Sequence, residues 1–123
     1  MNYKKAISEH AEQSLLIQWW RWQCSAYGIH EKLFYAIPNG GNRNAITGKV
    51  LKSEGVRSGI PDLFLAVARG GFHGLYIEMK KSHGGVLSDT QKEMLLLLKN
   101  QGFKTCVCHG FEEARKEILN YLK

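Results

Sequence analysis

The segment GIPDLFLAVARGGFHGLYIEMK (residues 59–80) predicts the centre of the fold. Its two apolar runs, Leu63–Ala68 and Leu75–Lys80, lie on either side of a glycine-rich stretch, a pattern typical of two antiparallel strands joined in a hairpin. Charged residues interrupt these apolar strands, although an isolated charge in a core strand costs free energy. The charged residues are Asp62, Glu78 and Lys80.

Asp62 and Glu78 are predicted to face each other across the hairpin. Each is eight residues from Gly70, so a hairpin symmetric about Gly70 places them directly opposite. The β-carbons of such a cross-strand pair lie about 5 Å apart, and two like charges at that distance repel unless a cation lies between them. Because strand side chains alternate between two faces, Lys80 shares the face of Glu78.

Two carboxylates, a backbone carbonyl and water molecules form the kind of oxygen-rich site that Mg²⁺ or Mn²⁺ prefers. A cation in such a site lowers the pKa of a bound water and withdraws charge from phosphoryl oxygens, while Lys80 can hold the attacking water. The pattern therefore favours phosphodiester hydrolysis. A structural explanation also exists: Asp62 follows Pro61 and can satisfy turn amides, and Glu78 and Lys80 can form an exposed ion pair.

Periodicity along the whole chain predicts an α/β fold in which helices flank a mixed central β-sheet, in the order α-β-α-β-β-α-β-α. The strand between the last two helices should pair in parallel with a neighbour, since a helix precedes it. Ser88 and Gln91 have the spacing of a helix capping box. We expect a single domain over residues 1–123. The predicted helices are residues 8–27, 45–54, 88–101 and 111–122, and the predicted strands are residues 32–37, 63–68, 75–80 and 103–108.

Composition favours a nucleic acid as partner. The net charge is +6 and the sequence pI is near 9.3, and a basic protein gains affinity for a polyanion because counterions are released. The apolar stretch at residues 94–98 is far shorter than the roughly 20 residues of a membrane-spanning helix. No secretory signal is recognisable, so we expect a soluble, cytoplasmic protein. Cys106 and Cys108 alternate along a predicted strand, which favours two core side chains over a zinc site.

Three motifs together resemble the PD-(D/E)xK nuclease superfamily, and most closely its VRR-NUC (virus-type replication-repair nuclease) family. They are a G-x-P-D strand start, an E-x-K strand and an S-x-x-Q helix start, and the resemblance extends over nearly the whole chain. It implies a restriction-endonuclease-like core and a metal-dependent DNA endonuclease. The residues that match are Gly59, Pro61, Asp62, Glu78, Lys80, Ser88 and Gln91.

The resemblance also implies roles for individual residues. Asp62 and Glu78 would bind Mg²⁺ or Mn²⁺, the backbone carbonyl of Met79 would be a third ligand, and Lys80 would orient the nucleophilic water. Gln91 would face the site from the start of its helix. Its other explanation, closing the capping box with Ser88, is equally good.

Such families also use a glutamate from the first helix, and two are available. Glu12 shares the apolar stripe of Leu16 and Trp19, where an acid needs a reason to be buried. Glu9 lies at the helix start, where a negative charge complements the helix dipole. We therefore predict Glu12 as the catalytic, metal-binding glutamate.

Stand-alone members of this family resemble structure-specific nucleases of phage replication and recombination, including Holliday-junction resolvases. We therefore expect branched DNA as substrate and a homodimer, since symmetric junction cleavage needs two active sites. A glycine-rich loop and the basic residues behind it are predicted to contact DNA. The alternative is a non-catalytic nucleic-acid-binding module that keeps the fold. The predicted DNA-binding residues are Asn39, Asn42, Arg43, Lys49, Lys52 and Arg57.

Overall fold

The computed structural model describes the backbone of residues 8–38 and 45–123. Side chains are described for residues 8–38 and 48–123. In this part of the chain the helices and strands follow the predicted α/β order. The predicted DNA contacts Asn39, Asn42 and Arg43 lie outside the described residues. The helices are α1 Glu9–Gln23, α2 Ala45–Ser53, α3 Asp89–Asn100 and α4 Phe111–Tyr121, and the strands are β1 Phe34–Ala36, β2 Leu63–Leu65, β3 Leu75–Lys80 and β4 Lys104–His109.

The described strands form one sheet in the order β1-β2-β3-β4. Strand β2 pairs antiparallel with β1 and β3, and β4 pairs in parallel with β3, as the sequence predicted. Leu63 lies opposite Ile77, and extending this register by one residue puts Asp62 opposite Glu78. The predicted register of the hairpin is therefore confirmed.

One face of the sheet carries the hydrophobic core. Alternate side chains of β2 and β3 point to this face and are fully buried, as a two-residue period requires. Helices α1 and α4 cover it with apolar side chains spaced one turn apart. Cys108 is buried in this core and Cys106 packs against it, so the predicted core role of both is confirmed. The core side chains include Leu63, Leu65, Leu75, Ile77, Met79, Leu16, Trp20, Ala114 and Ile118.

Strand β2 ends at Leu65, three residues earlier than predicted, because the chain contains one extra residue on this side of the hairpin. Arg69 and Phe72 pair through two backbone hydrogen bonds of 3.1 and 2.8 Å around two glycines with positive φ. Three residues separate Leu65 from Arg69, but only two separate Phe72 from Leu75. A one-residue excess of this kind interrupts the ladder as a bulge does.

Two other boundaries differ from the sequence prediction. Helix α1 ends at Gln23 and continues as a 3-10 turn to Tyr27, and Gly28 then ends the segment with a φ of 68°. Strand β1 begins at Phe34 because residues 31–33 form another 3-10 turn, capped by His30. No helix within residues 8–38 and 45–123 is long and apolar enough to cross a membrane.

Candidate active site

The candidate site lies where β3 extends beyond its pairing with β2. The backbone N–H of Met79 donates a hydrogen bond of 2.7 Å to Oδ2 of Asp62. Met79 lies two residues past the last β2–β3 pair, so a side-chain carboxylate satisfies an amide that the ladder no longer serves. The backbone carbonyl of Asp62 accepts a hydrogen bond of 2.8 Å from Ile37. Both strands that flank Asp62 therefore fix its position.

The carboxylate of Glu78 is almost completely buried, with 2% of the residue exposed. Its Oε1 accepts a hydrogen bond of 2.8 Å from Nε2 of Gln91 and lies 3.7 Å from Nζ of Lys80. Its Oε2 is buried and has no hydrogen-bond partner among the described residues. An unpaired, buried carboxylate oxygen is unfavourable in the free protein, and a cation would relieve the cost.

Gln91 connects the start of α3 to the E-x-K strand. Its Oε1 accepts hydrogen bonds from Nζ of Lys80 at 3.0 Å and from the backbone N–H of Ser88 at 2.9 Å. Its own backbone N–H donates to Oγ of Ser88 at 3.2 Å, which completes the capping box. The two explanations that the sequence left open for Gln91 are therefore both realised, because one amide group makes both sets of contacts.

The pKa of each acid is raised, and burial is the main cause for both. The pKa of Glu78 is raised to about 7, mainly by burial and then by the charge of Asp62, although Lys80 lowers it. Burial also raises the pKa of Asp62, against the lowering effect of its hydrogen bond from Met79. The charge of Glu9 raises the pKa of both carboxyl groups. A cation beside the two carboxyl groups would favour their ionised forms and lower both pKa values.

The two glutamates of α1 lie in different environments. Glu12 is buried, with 9% of the residue exposed, and its Oε2 accepts a hydrogen bond of 2.7 Å from Oγ of Ser82. This oxygen packs so closely against Gly110 that a β-carbon there would clash with it. The half-buried Glu9 is the helix acid whose charge acts on Asp62 and Glu78. Helical periodicity indicated which glutamate is buried but not which one acts on the pKa values of the acid pair.

The residues present fit a hard divalent cation that keeps several water ligands. Among the described residues, no group of three or more carboxylate, histidine or cysteine side chains is arranged to hold a metal ion. The structure therefore brings neither Glu12, a predicted metal ligand, nor Glu9 into a three-carboxylate site with Asp62 and Glu78. Mg²⁺ is commonly bound by one or two carboxylates with water completing the octahedron, and these two carboxylates satisfy that requirement.

The predicted basic contacts in the described part of the chain are accessible. Lys49 and Lys52 are exposed on α2, and Arg57 is exposed in the segment that leads to β2. Their role in binding DNA stays a prediction. Lys80 differs from them because its Nζ is held by Gln91 and lies beside Glu78.

Comparison with known proteins identifies the family. A family model described as the VRR-NUC domain matches residues 3–112, and the chain therefore belongs to the VRR-NUC family of nucleases. A solved structure of a VRR_NUC domain protein is 26% identical in sequence, with a TM-score of 0.81 over 95% of this chain and 89% of that chain. No match was found among curated proteins. The resemblance seen in the sequence and the predicted fold are both confirmed.

Proposed function

We propose that this protein is a Mg²⁺- or Mn²⁺-dependent endonuclease that hydrolyses phosphodiester bonds in DNA, with a preference for branched DNA such as a four-way junction. The observation that carries the proposal is the buried, unpaired Oε2 of Glu78 opposite Asp62. Facing carboxyl groups with raised pKa values are typical of functional sites, and a cation would offset the cost of keeping them together. Membership of a nuclease family supports a catalytic purpose for this arrangement.

Asp62 and Glu78 would hold the cation, with the Met79 carbonyl as a candidate third ligand. The chemistry supplied by the bound ion is acidification of a water and withdrawal of charge from the phosphoryl oxygens. Hydrogen bonds from Met79 and Gln91 hold the two carboxylates before substrate arrives, which lowers the cost of reorganisation. The products would carry 5′-phosphate and 3′-hydroxyl ends.

Lys80 would orient the nucleophilic water or stabilise charge on the phosphate. Its Nζ is fixed by Gln91 at 3.0 Å, and therefore a long flexible side chain is held beside the acid pair. We propose Glu9 as the helix glutamate that assists the site, because its charge acts on both Asp62 and Glu78. The buried Glu12 would instead fix α1 against the turn at Ser82.

DNA as the substrate is supported by the net charge of +6 and by the exposed Lys49, Lys52 and Arg57. These positive charges would contact DNA phosphates and give binding that weakens with salt. The preference for branched DNA and a homodimer with two active sites rest on the resemblance to junction-cleaving relatives.

Cleavage of a labelled four-way junction and of a matched linear duplex tests the proposal. We expect cleavage in Mg²⁺ or Mn²⁺, none in EDTA, and faster cleavage of the junction. Asp62→Asn should reduce cleavage by about 10²–10³-fold or more, whereas the matched control Asp89→Asn, at an exposed position in α3, should cut normally. Binding without cleavage in every metal would support a non-catalytic module, and equal rates on both DNAs would reject the preference for branches.

A further inference from the structure

A row of aromatic side chains crosses the sheet beside the acid pair, on the same face. Tyr35 of β1 lies opposite Phe64 of β2, and Phe64 lies opposite Tyr76 of β3. Phe64 is two residues from Asp62, and Tyr76 is two residues from Glu78. Because side chains two residues apart share a face, the aromatic row and the two acids form adjacent rows about 6.6 Å apart along the strands.

The rings of this row support one another. Phe64 lies 4.3 Å from Tyr76 at an interplanar angle of 31°, and 5.8 Å from Tyr35 at 71°, measured between ring centroids. Phe103 contacts both Phe64 and Tyr76 edge-on. A β-carbon at Gly74 would lie 2.7 Å from the Phe64 ring, so glycine at this position lets the backbone pack against it. The row is therefore a fixed surface whose outermost ring is Tyr35.

The partial exposure of these rings distinguishes the aromatic row from a second hydrophobic core. Tyr35 is 46% exposed, whereas Leu63 and Leu65 on the opposite face of the same strands are fully buried. Phe64 and Tyr76 are only partly buried. An exposed aromatic ring needs an explanation only when it forms part of a larger patch, and here the patch is continuous with the candidate catalytic site.

We propose, on the basis of the proposed nuclease function, that Tyr35 and the row behind it stack an unpaired base next to the phosphate that is cut. Aromatic rings bind bases of any sequence through their π faces. In an intact duplex the base faces are covered by neighbouring pairs, so the row selects DNA with an unpaired or unstacked nucleotide. The preferred substrate class is therefore DNA with single-stranded segments or distorted junction centres.

The test is equilibrium binding in EDTA, which requires no cleavage. Wild-type protein is titrated into two DNAs. The first, called the armed DNA, is a duplex with a single-stranded arm that carries 2-aminopurine, a base whose fluorescence falls on stacking. The second is a fully paired duplex. Tyr35→Leu should weaken binding of the armed DNA by roughly 5- to 150-fold and abolish the quenching, the range that one stacked base gives. Binding of the paired duplex should change less than about twofold.

Two variants control the measurement. Tyr35→Phe keeps the ring and should bind like wild type, and thermal unfolding of both Tyr35 variants should show that the sheet is intact. Trp22→Ala removes an aromatic ring that is 78% exposed on α1, and it should leave binding of the armed DNA unchanged. Equal loss for the armed and paired DNAs, or a loss caused by Trp22→Ala and not by Tyr35→Leu, would overturn the proposed base site.

The outcomes also separate this site from the nuclease proposal. A wild-type protein that cuts DNA, with Tyr35→Leu binding and quenching as wild type, would reject the aromatic base site alone. A protein that never cuts in Mg²⁺ or Mn²⁺ but shows quenching that depends on Tyr35 would reject the nuclease proposal and support the base site.

Discussion

Oδ2 of Asp62 accepts a hydrogen bond of 2.7 Å from the backbone N–H of Met79, the residue between the acid and the lysine of the E-x-K strand. The acid that directly precedes β2 is thereby attached to the backbone of β3. A carboxylate fixed in this way can bind a cation without first being ordered.

Asp62→Asn removes the negative charge of this residue but keeps an oxygen that can accept the hydrogen bond from Met79. The amide oxygen can still accept the Met79 hydrogen bond, so the free energy of unfolding should change little. Cleavage should fall by about 10²–10³-fold or more, the usual effect of losing a group that stabilises transition-state charge. Asp62→Ala should in addition lose about 1–3 kcal/mol of stability because the Met79 amide is left unpaired. Single-turnover cleavage and urea unfolding measure the two effects, and normal cleavage by Asp62→Asn would contradict the proposed role.

Gln91 and Ser88 offer a matched pair of variants, because only Gln91 contacts the acid site. Ser88→Ala removes the N-cap side chain and should cost about 1 kcal/mol of stability while leaving cleavage within a few-fold of wild type. Gln91→Ala removes the contacts to Glu78 and Lys80 as well, and cleavage should fall by about 10–100-fold. If the two variants lost stability and activity in parallel, Gln91 would act only as a cap.

The two glutamates of α1 should respond differently to the same substitution. Glu9→Gln removes the charge that acts on Asp62 and Glu78, and cleavage should fall by about tenfold or more. Glu12→Gln weakens the contact with Ser82 and should cost about 1 kcal/mol of stability with little effect on cleavage. Cleavage rates and unfolding curves for both variants provide the comparison. If Glu12→Gln instead reduced cleavage more than Glu9→Gln, the helix glutamate of the site would be Glu12, as the sequence predicted.

The raised pKa of Glu78 predicts how stability depends on pH in metal-free protein. Its pKa is about 7 in the folded state and 4.5 ordinarily, so the folded protein binds more protons than the unfolded chain between these values. The free energy of unfolding should therefore fall as the pH rises from about 4.5 to about 7. The fall in the free energy of unfolding over this pH range should be on the order of 3 kcal/mol. In EDTA, Glu78→Gln should be more stable than wild type at pH 8 and similar to it at pH 5.

Metal binding should oppose this pH dependence in every protein that keeps Glu78. A divalent cation binds the deprotonated carboxylates, so Mn²⁺ should raise the melting temperature more at pH 8 than at pH 5.5. Glu78→Gln should lose most of this rise, and the control Glu93→Gln, exposed on α3, should keep it. A pH-independent rise in both variants would show that Mn²⁺ binds elsewhere.

Local patterns in the sequence predicted most of the fold. The equal distances of Asp62 and Glu78 from Gly70 gave the correct register, and Ser88 and Gln91 gave the correct start of α3. The end of β2 was predicted wrongly because a bulge adds no recognisable residue type: the stretch up to Ala68 is as apolar as a strand. Turn geometry at the hairpin tip, which decides the strand end, appears only in three dimensions.

The candidate site was predicted where its residues share one hairpin and less well where it depends on packing between distant elements. Asp62, Glu78 and Lys80 lie within one supersecondary unit, so a period of two residues was enough to group them. Contact between Glu12 and Ser82 spans 70 residues and depends on how α1 meets the turn after β3. No spacing in the sequence reports that packing, and both glutamates of α1 were therefore plausible.

A Mn²⁺-soaked crystal, measured by anomalous diffraction, tests the central claim most directly. We predict an ion bound by carboxylate oxygens of both Asp62 and Glu78, including Oε2 of Glu78, at about 2.1 Å with water completing the octahedron. The same peak should vanish in Asp62→Asn or Glu78→Gln crystals soaked in parallel. A wild-type crystal with Mn²⁺ only at other positions, and none between these two carboxylates, would contradict the account.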